Sequence, residues 1–306
     1  MNLRQIEVFR AIMLAGSVTD AARLLHVSQP GVSRMLGHIE LQLGMKLFER
    51  SRGRLHPTPE AQALYAEVDR VYQGVQRVDE KARDLREGKG LSLRVLASPS
   101  TALEIVPLAV SALASRFPTA RIYMETQLVR EMVGQLVRNE ADIAVSTLPI
   151  DNALLSGDVV GRWSLACVFR RGHAFGGRRS VSLREVMSER LIAFSADTPQ
   201  GQLITRWWAE NDLAPRAQIE VRSGQVACAL AACGAGVAIV DELTARAWNH
   251  DQLGFCRLSG SPAYDVFLVR HANATRSALA LAFHQCVVEA FRLVRRTTRQ
   301  ASVRIS

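Results

Sequence analysis

Between positions 28 and 38 the chain carries Ser28, Gln29, Pro30, Ser33, Arg34 and His38, side chains that suit the base edges and phosphates of double-stranded DNA. Gln and Arg can each make two parallel hydrogen bonds, to adenine and guanine edges respectively, and Ser reaches either a base or a phosphate. A helix that begins here also aims unpaired N–H groups at a phosphate. Further on, Arg50, Arg52 and Arg54 bracket Gly53. Guanidiniums on such a turn hold phosphates and fix register rather than read sequence.

These side chains need elements to present them. Val18, Ala21, Ala22 and Leu25 follow the i, i+3, i+4, i+7 rule of a short amphipathic helix, and Val32, Met35, Leu36 and Ile39 repeat it. Ser28 in the N-cap position and Pro30 in the first turn start the second helix, so two short helices meet across a tight turn. With the apolar stripe inward, the candidate DNA contacts fall on or near the outer face, where they can enter a major groove. Gly31 and Gly37 weaken that helix but permit close approach of its backbone. The run from Leu47 to Leu55 reads as a basic hairpin beside it. Residues 1–59 hold eight Arg and Lys against four Asp and Glu, a large share of the chain's formal +9, which favours a polyanion as partner.

Thr58 caps a helix starting at Pro59, and Ala61, Leu64, Val68, Val71, Val75, Val78, Ala82 and Leu85 recur at alternating spacings of three and four. This a/d seam, with charged residues on its other faces, needs a partner, either its own domain or a second copy. Glu87, Gly88, Lys89 and Gly90 read as a hinge.

The run A-A-R-L-L-H-V-S-Q-P-G-V-S-R from Ala21 to Arg34, I-E at Ile39, L-G at Leu43, L-F-E-R at Leu47 and the opening L-R-Q-I-E-V-F from Leu3 resemble the LysR-type transcriptional regulator family. Gly31 and Glu60 depart from its usual small residues there. The resemblance implies an α+β multidomain protein. Its parts are an N-terminal winged helix-turn-helix over 1–59, a linker and dimerisation helix with hinge over 60–90, and a C-terminal two-lobed α/β effector domain like the periplasmic binding proteins. It also implies a homodimer through the linker helix, further paired into a tetramer on a near-palindromic site, with RNA polymerase as an additional partner.

From Leu91 onward β-rich runs alternate with helical stretches: strands at 91–97, 121–126, 143–146, 165–169, 191–194 and 218–221, and helices at 103–117, 131–139, 203–211 and 225–234. Strand 265–270 and helix 278–294 return to the first lobe, giving lobe I as 91–161 with 266–295 and lobe II as 162–265. E-A-D-I-A from Glu140 and C-G-A-G-V-A-I-V-D from Cys233 also resemble the family. That architecture places a small-molecule effector between the lobes, where strand ends and helix starts converge. Ser98, Ser100 and Thr101, around Pro99, supply hydroxyls and amides for a carboxylate. Thr147, Ser195, Thr198 and Gln200 are expected opposite them, and Asp241 is positioned to meet a ligand amine. V-D-E-L-T-A from Val240 looks like the amino-acid and opine-responsive subgroup.

Other chemistries find no support. No nucleophile elbow, zinc-protease motif, phosphate loop or dinucleotide fingerprint is present, so catalysis, a cofactor and a metal are not expected. Cys167, Cys228, Cys233, Cys256 and Cys286 are scattered, reading as reduced structural thiols; a redox switch would need two of them close in space. No apolar run is long enough to span a bilayer and no basic-then-apolar leader opens the chain, which points to the cytoplasm and away from a membrane. Arg292, Arg295, Arg296, Arg299 and Arg304 suggest a frayed basic tail over 296–306, with auxiliary DNA contact as the sharper alternative.

Overall fold

The computed structural model describes residues 1–51, 54–86, 92–214, 217–248, 252–274 and 277–303. The chain divides into two units, Met1–Gly90 and Leu91–Ser306.

In the first unit, helices α1 (Leu3–Ala15), α2 (Val18–Leu24) and α3 (Gln29–Leu43) precede a hairpin of strands β1 (Phe48–Ser51) and β2 (Arg54–Pro57) and the long helix α4 (Pro59–Arg86). Each start has a visible cause. The Asn2 side chain accepts the Gln5 N–H while Gln5 reaches back to the Asn2 N–H, and Ser17 accepts the Asp20 N–H. The α2–α3 turn closes with His26 in the left-handed region at φ 53°. Phe9, Ile12, Ile39 and Leu47 are fully buried and tie α1, α3 and the hairpin into one core.

Thr58 caps α4 by accepting the Ala61 N–H at 3.2 Å, and its hydroxyl lies 3.0 and 3.2 Å from the Lys46 and Leu47 carbonyls. The α4 seam proves to be divided. Ala61 and Val68 are buried in the unit's own core and Leu64 packs against it, whereas Val71 and Val78 are 50% and 67% exposed, Ala82 is exposed and Val75 is half-buried. The Arg10–Asp69 ion pair at 2.6 Å, with Arg10 also over the Tyr72 ring, fastens the first half of α4 to α1. Leu85 falls where only the helix backbone is described.

The second unit holds, in chain order, β3 (Ser92–Ala97), α5 (Ile105–Arg116), β4 (Arg121–Thr126), α6 (Val129–Val137), β5 (Ile143–Ser146) and β6 (Leu155–Trp163). Then come β7 (Leu165–Arg170), β8 (Ser180–Val181), α7 (Leu183–Met187), β9 (Leu191–Phe194), α8 (Pro199–Glu210), β10 (Ile219–Val221) and α9 (Gly224–Ala232). The last elements are β11 (Val237–Asp241), α10 (Glu242–Ala247), β12 (Leu253–Leu258), β13 (Tyr264–His271) and α11 (Ala278–Val303). One sheet runs β4-β3-β5-β13-β6 and the other β10-β9-β11-β7-β12-β8. The chain passes between them twice, at Trp163–Ser164 and at 259–263, and the Trp163 and Tyr264 rings stack at 4.6 Å where the passages meet. Two sheets joined by two such passages make two lobes with a hinge.

The expected frayed tail is corrected: the backbone of 296–303 continues α11. No Gly or Pro interrupts 278–303, and Arg is a good helix former. The sheet also brings together two cysteines that sequence leaves apart, since Cys256 of β12 stands opposite Cys167 of β7, both buried. Burial pushes the Cys228 thiol up to about 12. Among the described residues no helix is long and apolar enough to cross a membrane.

Glu40 sets the hairpin's position. Its Oε1 accepts the Leu47 and Phe48 N–H groups at 2.9 and 3.2 Å, and Lys46 Nζ sits 2.8 Å from Oε2. Burial opposes the charge, yet Lys46 and the two N–H groups hold the carboxyl below its ordinary range. A depressed folded-state pKa contributes stability above the unfolded value that is lost as pH falls through the folded one. Glu40→Gln is expected to cost about 1–2 kcal/mol at pH 7, and urea unfolding should show that difference shrinking toward zero as pH drops below the carboxylate range.

Candidate DNA-reading face and effector cleft

On α3 the buried stripe is Val32, Leu36 and Ile39. Opposite it Pro30, Arg34 and His38 are exposed and Ser33 is half-buried. At about 100° per residue, Pro30, Arg34, Gly37, His38 and Leu41 occupy the middle of that face, with Ser33 along its border, while Gln29 is exposed through its place at the helix start. Leu41 is 82% exposed there. The apolar stripe read from the sequence, Val32, Met35, Leu36 and Ile39, does not include it. At the centre of a polar face it suits the thymine methyl group.

Ser28 holds the N-cap position but its side chain makes no capping hydrogen bond. A Cβ on Gly31 would come within 3.2 Å of Ser28 Oγ, so glycine leaves that exposed hydroxyl unobstructed. Arg34 Nε lies 3.4 Å from the Pro30 carbonyl oxygen, a long contact that a base edge can displace. In the hairpin, Arg50 pairs with Leu55 and Ser51 with Arg54 along the backbone. Arg52 and Gly53 lie outside the described residues.

In the second unit, apart from Thr58 of the first, every buried polar side chain described gathers at the C-terminal ends of the central strands: Ser98, Ser100, Thr101, Ser146, Thr147, Thr198, Asp241 and Thr244. β3 and β5 are parallel neighbours with Ala97 beside Val145, so the residues that follow them emerge together. Ser98 Oγ accepts the Thr147 N–H at 3.2 Å. Thr147 therefore stands beside Ser98 in the same lobe, which corrects its expected place across the cleft. Thr101 Oγ1 is within hydrogen-bond range of the Ser98 and Val145 carbonyls, so that hydroxyl is taken up inside the lobe.

On the other lobe, Thr198 caps α8, with its hydroxyl donating to the Ser195 carbonyl at 2.7 Å and accepting the Gly201 N–H at 3.0 Å. The turn is so close that a Cβ on Gly201 would lie 2.0 Å from the Ser195 carbonyl oxygen. Gln200 is half-buried in the first turn of α8. Asp241 ends β11 and caps α10, its Oδ1 accepting the Thr244 N–H and its Oδ2 the Thr244 hydroxyl, each at 2.8 Å.

Among the described residues, bonds of two kinds reach from lobe to lobe. The Ser100 hydroxyl donates to Asp241 Oδ2 at 2.8 Å, and Arg246 of α10 meets Glu104, just before α5, at 3.3 Å. Sequence reasoning singled out neither Glu104 nor Arg246, since only folding brings two positions so far apart in the chain together. Burial raises the Asp241 carboxyl pKa despite the Thr244 and Ser100 donors.

Residues 3–62 match the family of bacterial regulatory helix-turn-helix proteins of the lysR type, and residues 86–292 match the LysR substrate binding domain. The chain belongs to the LysR family. As a LysR-family protein it is a DNA-binding transcriptional regulator with an effector-binding domain. It is 32% identical to the transcriptional activator protein LysR of Escherichia coli (strain K12), over 92% of this chain and 91% of that one. It is 30% identical to the octopine catabolism/uptake operon regulatory protein OccR of Rhizobium meliloti, over 80% and 81%. The LysR-family regulator CbnR, solved full-length with its target DNA, shares the fold with a TM-score of 0.80 at 21% identity, covering 95% of this chain and all of that one.

The expected division of labour, bases read from the α3 face and phosphates held by the hairpin, has separable outcomes. Arg34→Ala should cost about 1–3 kcal/mol on the operator and relax base preference. Arg52→Ala should weaken operator and random DNA alike and reduce the salt slope by about one unit. Binding isotherms across a salt series decide the matter, and equal losses on both DNAs for both variants would refute the division.

Proposed function

We propose that this regulator binds a near-palindromic operator as a homodimer, paired again into a tetramer, and responds to an amino acid or a derivative held between its lobes. The observation that carries the effector reading is the buried polar cluster at the strand ends, joined across the lobes by Ser100 and Asp241. Ser98 and Ser100 offer hydroxyls and Thr101 its amide to a carboxylate, and Thr147, Ser195, Thr198 and Gln200 complete the wall. Asp241 takes the ligand's amine in place of the Ser100 hydroxyl. The likeness to OccR, whose name refers to octopine, supports an amino-acid-derived effector. On the DNA side, Ser28, Gln29, Pro30, Ser33, Arg34 and His38 read and orient, while Arg50, Arg52 and Arg54 grip phosphates.

The corresponding division is 1–59 for DNA binding, 60–90 for pairing and hinge, 91–161 with 266–295 for lobe I, 162–265 for lobe II, and 296–306 as a basic end. The exposed half of the α4 seam, Val71, Val78 and Ala82 with Val75 between them, supports pairing with a second copy. Effector binding shifts the lobe equilibrium only through unequal affinity for its two arrangements. The paired DNA-binding domains then change spacing or tilt, altering what RNA polymerase meets at the promoter. Such a protein works in the cytoplasm, with its DNA.

Replacing Val71 and Val78 together by Asp places carboxylates in the seam and should weaken pairing at least about a hundred-fold; sedimentation would show monomer where the parent is a dimer or tetramer. A thermal-unfolding screen of amino acids and opines tests the effector. A cognate ligand at about 100 times its dissociation constant stabilises by about 2.7 kcal/mol, and Ser100→Ala should remove most of that response. If no amino acid or opine raises the unfolding temperature, the effector class is wrong.

A further inference from the structure

The lobe II sheet has two ends. β9 and β11 run parallel toward the cleft, while β7 runs antiparallel between β11 and β12. The cleft therefore lies at the Phe194 and Asp241 end, and Arg170, Leu191 and Val237 mark the opposite end. Given about 3.3 Å per residue, β11 separates the two ends by roughly 15 Å. At that far end is a cavity of about 730 Å³, of a size that admits a small metabolite.

Its ionisable lining is Arg170, Arg171, Arg190, His173 and Glu189. Three arginines thus line it against a single glutamate, whose carboxylate lies 3.7 Å from His173 Nε2. Arg keeps its charge at any physiological pH, so the excess persists. The wall behind is fixed: His173 Nδ1 accepts the Phe175 N–H at 3.2 Å, and its ring packs against Phe169 and Phe175.

The turn at residues 234–236 completes the cavity, and glycine is needed at both ends of it. Gly234 has φ +82° and its missing Cβ would sit 3.4 Å from an Arg170 guanidinium nitrogen. Gly236 has φ +153°, and a Cβ there would strike the Arg190 carbonyl at 2.2 Å and crowd that side chain's stem at 3.2 Å. Arg170 and Arg190, from β7 and from the start of β9, are thus brought over one turn. Crowding cations that cannot neutralise themselves is unfavourable until an anion joins them.

We propose that this cavity is a second small-molecule site, distinct from the interlobe cleft, for a ligand bearing a phosphate group. The choice of phosphate over a simple carboxylate follows from charge. An excess of two or more positive charges matches a dianion, and the planar guanidinium forks bind phosphate oxygens in pairs. The remaining volume accommodates the body of a phosphorylated metabolite.

Inorganic pyrophosphate is the probe, titrated calorimetrically into the full-length protein at fixed ionic strength, with acetate as the monoanionic comparison. The expected result is saturable binding of one pyrophosphate per chain, with no saturable acetate heat. Arg170→Gln with Arg190→Gln should weaken it about ten-fold or more, and Arg171→Gln alone should weaken it measurably. Arg184→Gln, an equal charge change at an exposed site on α7 outside the cavity, should leave it unchanged. The proposal is overturned by the absence of saturable binding, by equal weakening in the Arg184 variant, or by an arginine pair whose loss lowers affinity for duplex DNA while pyrophosphate binding persists.

Discussion

A carboxyl group has been carried into the apolar end of a strand. β11 is buried throughout, and Asp241 at its end is 2% exposed, in surroundings that penalise an unpaired charge by several kcal/mol. Three donors meet it. Two come from Thr244, one residue of its own helix start, and the third is the Ser100 hydroxyl from the other lobe. Separating the lobes leaves Asp241 with Thr244 alone. The position of the lobes and the satisfaction of one buried acid are therefore linked.

The same economy of polar groups governs the DNA-binding unit with the opposite electrostatic sign. Glu40, on the DNA-reading helix, keeps its charge because Lys46 and the first amides of the hairpin converge on it. Thr58 closes the other side of that hairpin while starting α4. Helix α3, the hairpin and α4 are thus referenced to one another by Glu40, Lys46 and Thr58. The polar residues on the outer face of α3 are left exposed.

Lobe II is polar at both ends for different reasons. At the cleft end, small hydroxyl side chains satisfy helix starts and carbonyls and leave a closely packed, nearly neutral lining around one acid. At the far end, long arginines cross a glycine turn and leave an open cationic cavity. The short strands β7, β9 and β11 run from one end to the other.

Much was legible in the sequence. The helix-turn-helix stripe, the start of α4 at Thr58–Pro59 and the strands Arg121–Thr126, Ile143–Ser146 and Leu191–Phe194 follow from apolar periodicity and caps, which act over a few residues. The nine-residue β6 was not found, because L-S-G-D-V-V-G-R-W has two glycines, several polar positions and a half-exposed pattern, and only its partner β13 makes it a strand. Periodicity also gave the α4 seam as one surface, when tertiary contact assigns Ala61 and Val68 to the domain's own core and leaves Val71 and Val78 outside. The motifs that carry the family lie in one continuous stretch, so the chain alone determined the family. The placement of Thr147 beside Ser98, the Ser100–Asp241 bond and the arginine cavity each depend on segments far apart in the chain, and sheet order is what brought them together.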